Sequence, residues 1–74
     1  MKRVGDVVRV VQGVAVVRCA DDDCPDLGTP VVDESLDDRG RVVDVFGPVE
    51  RPYVAVSTAG EPVATLLGTT LYAR

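Results

Sequence analysis

The chain contains no histidine, and that absence removes much of the chemistry a small protein could otherwise offer. There is no Ser-His or Cys-His pair to activate a nucleophile, and neither a Walker loop nor a Gly-x-Ser-x-Gly elbow is present. Asp33 or Asp44 would serve as a general base only if its surroundings raised its pKa, and a chain of 74 residues has few groups to do that. Asp44 is expected instead to hydrogen-bond a neighbouring turn or to face solvent. A non-enzymatic protein without cofactor follows as the expectation.

Cysteine is nearly absent too. Cys19 and Cys24 stand alone at C-x4-C spacing, so a tetrahedral zinc site would lack two of its ligands. A disulfide across that loop is sterically conceivable, but a cytosol keeps thiols reduced, and the expectation is two free thiols. Asp21, Asp22, Asp23 and Asp26 have neither the alternate-residue spacing nor the central Gly and terminal Glu of a calcium loop. They read as a solvated acidic face, and no metal is expected.

Aromatics amount to 4%, whereas 17 residues are Val. The core must therefore be built from β-branched aliphatics, which favour strands. A chain of this length makes one domain and buries only roughly 60% of the surface its unfolded form exposes. No apolar run approaches the ~20 residues of a membrane-spanning helix, and no basic-then-apolar leader opens the chain. A soluble, cytoplasmic protein with no membrane partner is expected. Lysine occurs once, against nine Asp, three Glu and seven Arg, for a net charge of -4. That is the wrong sign for free-standing attraction to a nucleic-acid backbone, so protein partners are favoured. An Asp-rich, Lys-poor surface also resembles proteins adapted to high internal salt, where charge repulsion is screened, and a halophilic source is expected.

What is present reads as short strands. Val4 to Val11 and Val14 to Cys19 flank Gln12-Gly13, the pattern of a hairpin around a tight turn. Residues 20–30 combine four Asp, two Pro and one Gly and form a loop. Val31-Val32-Asp33 is a short strand at most, and Asp37 to Gly40 is turn chemistry. Val42, Val43, Val45 and Phe46 form a central strand that Gly47-Pro48 stops; Pro52 stands just before a further strand, Tyr53 to Val56. Ser57 to Pro62 is another turn, and Val63 to Leu67, then Gly68 to Tyr72, read as a closing strand with a glycine break. Five to seven such strands with no helical period predict an all-β, small closed or partly open barrel, because closure removes exposed edges.

On the central strand, alternation puts Arg41, Val43 and Val45 on one face and Val42, Asp44 and Phe46 on the other. If Val43 and Val45 line the barrel, Val42 and Phe46 project outward near Val49 and Tyr53 as an apolar strip suited to a partner protein. The opposing reading is that Phe46, the only Phe, plugs the barrel end.

The ungapped run Gly40, Val42, Asp44, Phe46-Gly47-Pro48-Val49, Pro52-Tyr53-Val54 looks like the signature of the Gar/Naf family. A looser likeness continues through Gly5, Gly13, Leu27-Gly28, Pro30-Val31, Gly68 and Leu71-Tyr72. The resemblance implies a six-stranded barrel related to translation-factor-like barrels. Residues 1–74 would be one core domain of the archaeal type, without flanking arginine-glycine-rich tails. It implies an accessory subunit of a box H/ACA ribonucleoprotein, docked on a dyskerin-type pseudouridine synthase. Such a subunit aids substrate RNA loading and product release in guide-directed rRNA pseudouridylation. Guide and substrate RNA would be met mainly through the particle, and the isolated protein would be a monomer or self-associate weakly. Carried onto this chain, Gly47 and Pro48 would fix the corner, and Val42, Phe46, Val49 and Tyr53 would touch the synthase. The competing readings are a PRC-barrel-like ribosome maturation factor domain, against which the Phe-Gly-Pro-Val and Pro-Tyr-Val continuation argues, and a small standalone enzyme.

Overall fold

The computed structural model describes residues 2–20, 24–58 and 63–74. Six strands are present among them: β1 (Lys2–Val11), β2 (Val14–Cys19), β3 (Pro30–Val32), β4 (Asp38–Phe46), β5 (Tyr53–Ser57) and β6 (Thr70–Ala73). They close into an antiparallel barrel in the order β1-β2-β5-β4-β3-β6, with β6 returning to β1. The expected all-β, six-stranded barrel is thus the fold, in its closed form.

The hairpin β1–β2 turns on Gln12-Gly13, both at positive φ (48° and 79°). That is the two-residue geometry whose twist matches the flanking strands. Inside the barrel, Val4, Val7, Ala15, Val17, Cys19, Val31, Val42, Val54, Val56 and Leu71 form one buried cluster. The cluster contains no aromatic residue, as the composition requires. Small β-branched side chains let the walls approach closely, and at two places the approach admits only glycine. A Cβ on Gly5 (φ 154°) would overlap the Arg18 carbonyl oxygen, and one on Gly40 (φ 139°) the Ser57 carbonyl oxygen.

Two segments differ from the sequence reading. Val63–Leu66 is a 3₁₀ turn and not part of a strand. Apolar content made it look extended, but Val63 and Leu66 stand three apart, one 3₁₀ turn, and both are buried as a plug in the core cluster. Gly68 then turns the chain into β6, its amide donating to the Val7 carbonyl at 2.9 Å. Similarly, the turn expected at Asp37 to Gly40 lies earlier. β4 already begins at Asp38, and the reversal is centred on Asp33 to Asp37, where the Leu36 amide donates to the Asp33 carbonyl and the Asp33 amide to the Asp37 carbonyl.

Asp33 is the buried polar hub of that reversal. Its Oδ1 accepts the Ser35 and Asp37 amides at 2.8 and 3.1 Å, and its Oδ2 accepts Arg39 Nε and Nη2, both at 2.7 Å. The Arg39 guanidinium, helped by the two amides and opposed by burial, holds the Asp33 carboxyl below its ordinary range. Its residue identity had made it a general-base candidate, but a carboxylate held in this way is a structural anchor and a poor base. A carboxyl with a depressed folded pKa adds stability above its unfolded pKa and loses it as pH falls through the folded value. Asp33→Asn should therefore lower the thermal midpoint most near neutral pH. The gap to the parent should close below pH ~4, the unfolded Asp value, in melts followed by circular dichroism. A gap independent of pH would show that the charge of Asp33 contributes nothing.

Candidate functional site

The Gly47-Pro48 corner joins β4 to β5 and places the only ring pair of the described residues on the outer wall. Phe46 and Tyr53 face each other in the β4–β5 register, their ring centroids 5.8 Å apart and their planes inclined by 16°. Gly47 (φ 93°) passes over the Tyr53 ring, where an added Cβ would come within 2.8 Å of Tyr53 Cδ1. The corner is tied down beyond this. The Arg51 amide donates to the Pro48 carbonyl at 3.2 Å, and the Cys19 amide donates to the carbonyl of buried Pro52 at 3.1 Å. Pro52 has no amide to offer a ladder and sits immediately before β5, as expected of it.

Phe46 does not plug the barrel. It is 44% exposed, Val49 at the tip of the corner is 86% exposed, and Gly47 and Pro48 are exposed beside them. The face assignment of the central strand, however, holds for Asp44 and Phe46 and fails for Val42, Val43 and Val45. Val42 is only 1% exposed and belongs to the core, while Val43 and Val45 lie outside. The cause is a β-bulge: Val42 pairs with Val56, but the next partner on β5, Ala55, meets Asp44. The extra residue breaks the two-residue period, so Asp44, Val45 and Phe46 are all exposed. Val42 is therefore removed from the candidate contact residues. Asp44 accepts the amide of Val45 at 2.9 Å on Oδ1, a local bond at the bulge on an exposed residue, as anticipated.

The surface is also wider than the sequence reading held. Phe46 and Tyr53 line a groove of about 520 Å³ together with Val8, Arg9, Val11 and Val16. The apolar wall thus runs over β1, β2, β5 and β4, four consecutive staves of the barrel. The signal that could have revealed Val8 and Val11 is the pair of doublets Val7-Val8 and Val10-Val11. Adjacent residues on a regular strand point to opposite faces, so one valine of each doublet must face out. A second bulge in β1, between Val7 and Arg9, lies at Val8.

Arginines border this wall. Arg3, Arg18 and Arg51 line an adjoining depression with Asp6 and Val8. Asp6 accepts the Thr70 hydroxyl at 2.6 Å and Arg3 Nη2 at 3.3 Å; the Thr70 bond chiefly, opposed by burial and aided by Arg3, holds its carboxyl below the ordinary range. Asp6 offsets one of the three arginines, which leaves positive charge in excess at one side of the apolar groove although the chain as a whole is acidic.

The molecule is thus a closed barrel with a valine-filled interior, its ring pair mounted on the outside in an apolar groove edged by arginine. Its family is the one whose model is described as Gar1/Naf1 RNA binding region: that model matches residues 1–73, and the chain belongs to the Gar1/Naf1 family. Membership gives it an RNA-binding role associated with H/ACA ribonucleoproteins. Comparison with curated proteins yields no match.

Proposed function

We propose that this protein is a non-catalytic accessory subunit of an archaeal box H/ACA ribonucleoprotein that docks on a dyskerin-type pseudouridine synthase and aids substrate loading and product release. The observation that carries the reading is the apolar groove around Phe46 and Tyr53, with Gly47, Pro48 and Val49 at its rim. Exposed valines and stacked rings on a rigid corner have little to gain from water and much from a matching apolar surface. An ordinary protein interface takes about 800 Å² from each partner. That is about a fifth of the 4434 Å² exposed here.

RNA enters this reading mainly through the particle. A net charge of -4 gives no long-range attraction to phosphates, so the synthase and guide bring RNA close and arginines at the groove's border meet it only there. The acidic, Lys-poor surface supports a cytoplasm of high salt as the working environment.

The test is a calorimetric titration of the archaeal dyskerin-type synthase with this protein, without RNA, in molar potassium chloride. One-to-one binding with a negative heat-capacity change is the expected result, since burial of apolar surface carries that sign. Absence of binding in both high and low salt, with the barrel folded, would overturn the reading and return weight to the ribosome-maturation alternative.

A further inference from the structure

Cys19 and Cys24 lie where a covalent step is within reach. Cys19 ends β2 inside the core cluster and is 1% exposed, while Cys24 packs against that cluster from the β2–β3 connection and is half-buried. No disulfide joins them, yet their Sγ atoms stand 2.8 Å apart. A disulfide bond measures about 2.05 Å, so a shift of less than about 1 Å separates the two thiols from one.

We propose that the two thiols form a reversible intramolecular disulfide that staples the β2–β3 connection to the barrel, with a small-molecule disulfide such as glutathione disulfide as the oxidant. The order of events follows from exposure. Cys24 borders a surface depression with Lys2, Arg3, Pro25, Asp26 and Thr29, so its thiolate is the one an external disulfide can meet. It attacks one sulfur of glutathione disulfide, forming a mixed disulfide and releasing the first glutathione thiolate. The Cys19 thiolate then attacks the Cys24 sulfur and releases the second. The two protons lost by the cysteines pass to the two departing thiolates. In balance, two protein thiols are oxidised to one disulfide, and one glutathione disulfide is reduced to two glutathione molecules.

The core position of Cys19 gives the second step its direction. A mixed disulfide at Cys24 holds its sulfur beside a thiol that no external molecule can occupy, so ring closure outruns accumulation of the adduct. The closed ring would fix the connection where its neighbours already hold the chain. The Ala20 amide donates to the Val4 carbonyl at 2.9 Å, and the Gly28 amide to the Val42 carbonyl at 2.7 Å. The inference is independent of the synthase reading, because it concerns the isolated barrel.

The reduced protein is incubated in glutathione buffers of increasing oxidised fraction, quenched in acid, freed of glutathione, unfolded in denaturant at a pH where thiolates form, alkylated there with iodoacetamide and weighed intact. A monomer lighter by two hydrogens, with no alkyl group and no retained glutathione, should replace the doubly alkylated species. Its thermal midpoint should rise by roughly 10 °C, the order expected of a short closed loop in a small domain. Cys24→Ser, a near-isosteric change at the edge of the core cluster, should give neither the lighter species nor a glutathione adduct. Accumulation of a glutathionylated monomer, a disulfide-linked dimer, or two thiols that stay reduced in pure glutathione disulfide while the barrel is folded would each overturn the proposal.

Discussion

Gly40→Ala is expected to leave no folded barrel at room temperature, with Gly5→Ala close behind. Both glycines sit at positive φ beneath the carbonyl of an adjacent strand, Ser57 for Gly40 and Arg18 for Gly5, and each added methyl would overlap that oxygen. Backbone cannot turn aside as a flexible side chain can. β4 and β5 at one crossing, or β1 and β2 at the other, would have to part, and with them the closure of the barrel. Single substitutions that cost more than about 4 kcal/mol are exceptional. A domain this small has a total stability near the low end of about 5–15 kcal/mol. Gly28→Ala is the control: its φ is 84° but no atom lies within 4 Å of the added Cβ, so only backbone strain of about 1–2 kcal/mol applies. Far-ultraviolet circular dichroism and thermal melts of the three variants give the answer. A Gly40→Ala protein that melts with the parent would mean that β4 and β5 do not approach so closely.

Phe46→Asp is expected to do the opposite: to abolish synthase binding and leave the fold intact. Phe46 is 44% exposed and touches Tyr53 on the outer wall, so an aspartate there finds water. In a complex, the same charge would be driven into the centre of an apolar contact. Loss of a central anchor costs about 2–4 kcal/mol, which is a roughly 30- to 1000-fold weakening. Val42→Asp, four residues earlier on the same strand, should unfold the protein, because Val42 is 1% exposed inside the core. The pair separates wall from interior in one titration. Loss of the folded spectrum in Phe46→Asp would make Phe46 structural; unchanged affinity in a folded Phe46→Asp would take the groove out of the interface.

The barrel was legible because valine-rich runs, turn residues and the Gly47-Pro48 corner agree with one another along the chain. Gln12-Gly13 and Pro52 stand where their backbone limits say they must. The inside and outside of β4 were not legible. A bulge costs one residue of phase and needs no special residue type, so nothing at Val42-Val43-Asp44 announces it, and Val42 and Phe46, which alternation puts on one face, end on opposite ones. Asp33 was missed as an anchor for a different reason. Its four bonds come from Ser35, Asp37 and Arg39, and Arg39 is brought round only by the reversal that Asp33 itself stabilises. The run Val63 to Leu67 failed through composition. Short apolar segments fit strand and 3₁₀ turn alike until burial distinguishes them.

Closure also decides how such a protein can be held. An open sheet can capture a partner by lending its edge, with main-chain hydrogen bonds that are indifferent to sequence and hard to remove by mutation. Here β6 returns to β1 and to β3, so where the ring of strands is closed the ladder has no vacant edge to lend. The docking proposed above, through exposed rings and valines, therefore relies on side chains. Under that proposal the grip on a partner is set residue by residue at exposed positions such as Phe46, Val49 and Tyr53, and its strength can drift or be tuned without disturbing a single backbone bond of the barrel.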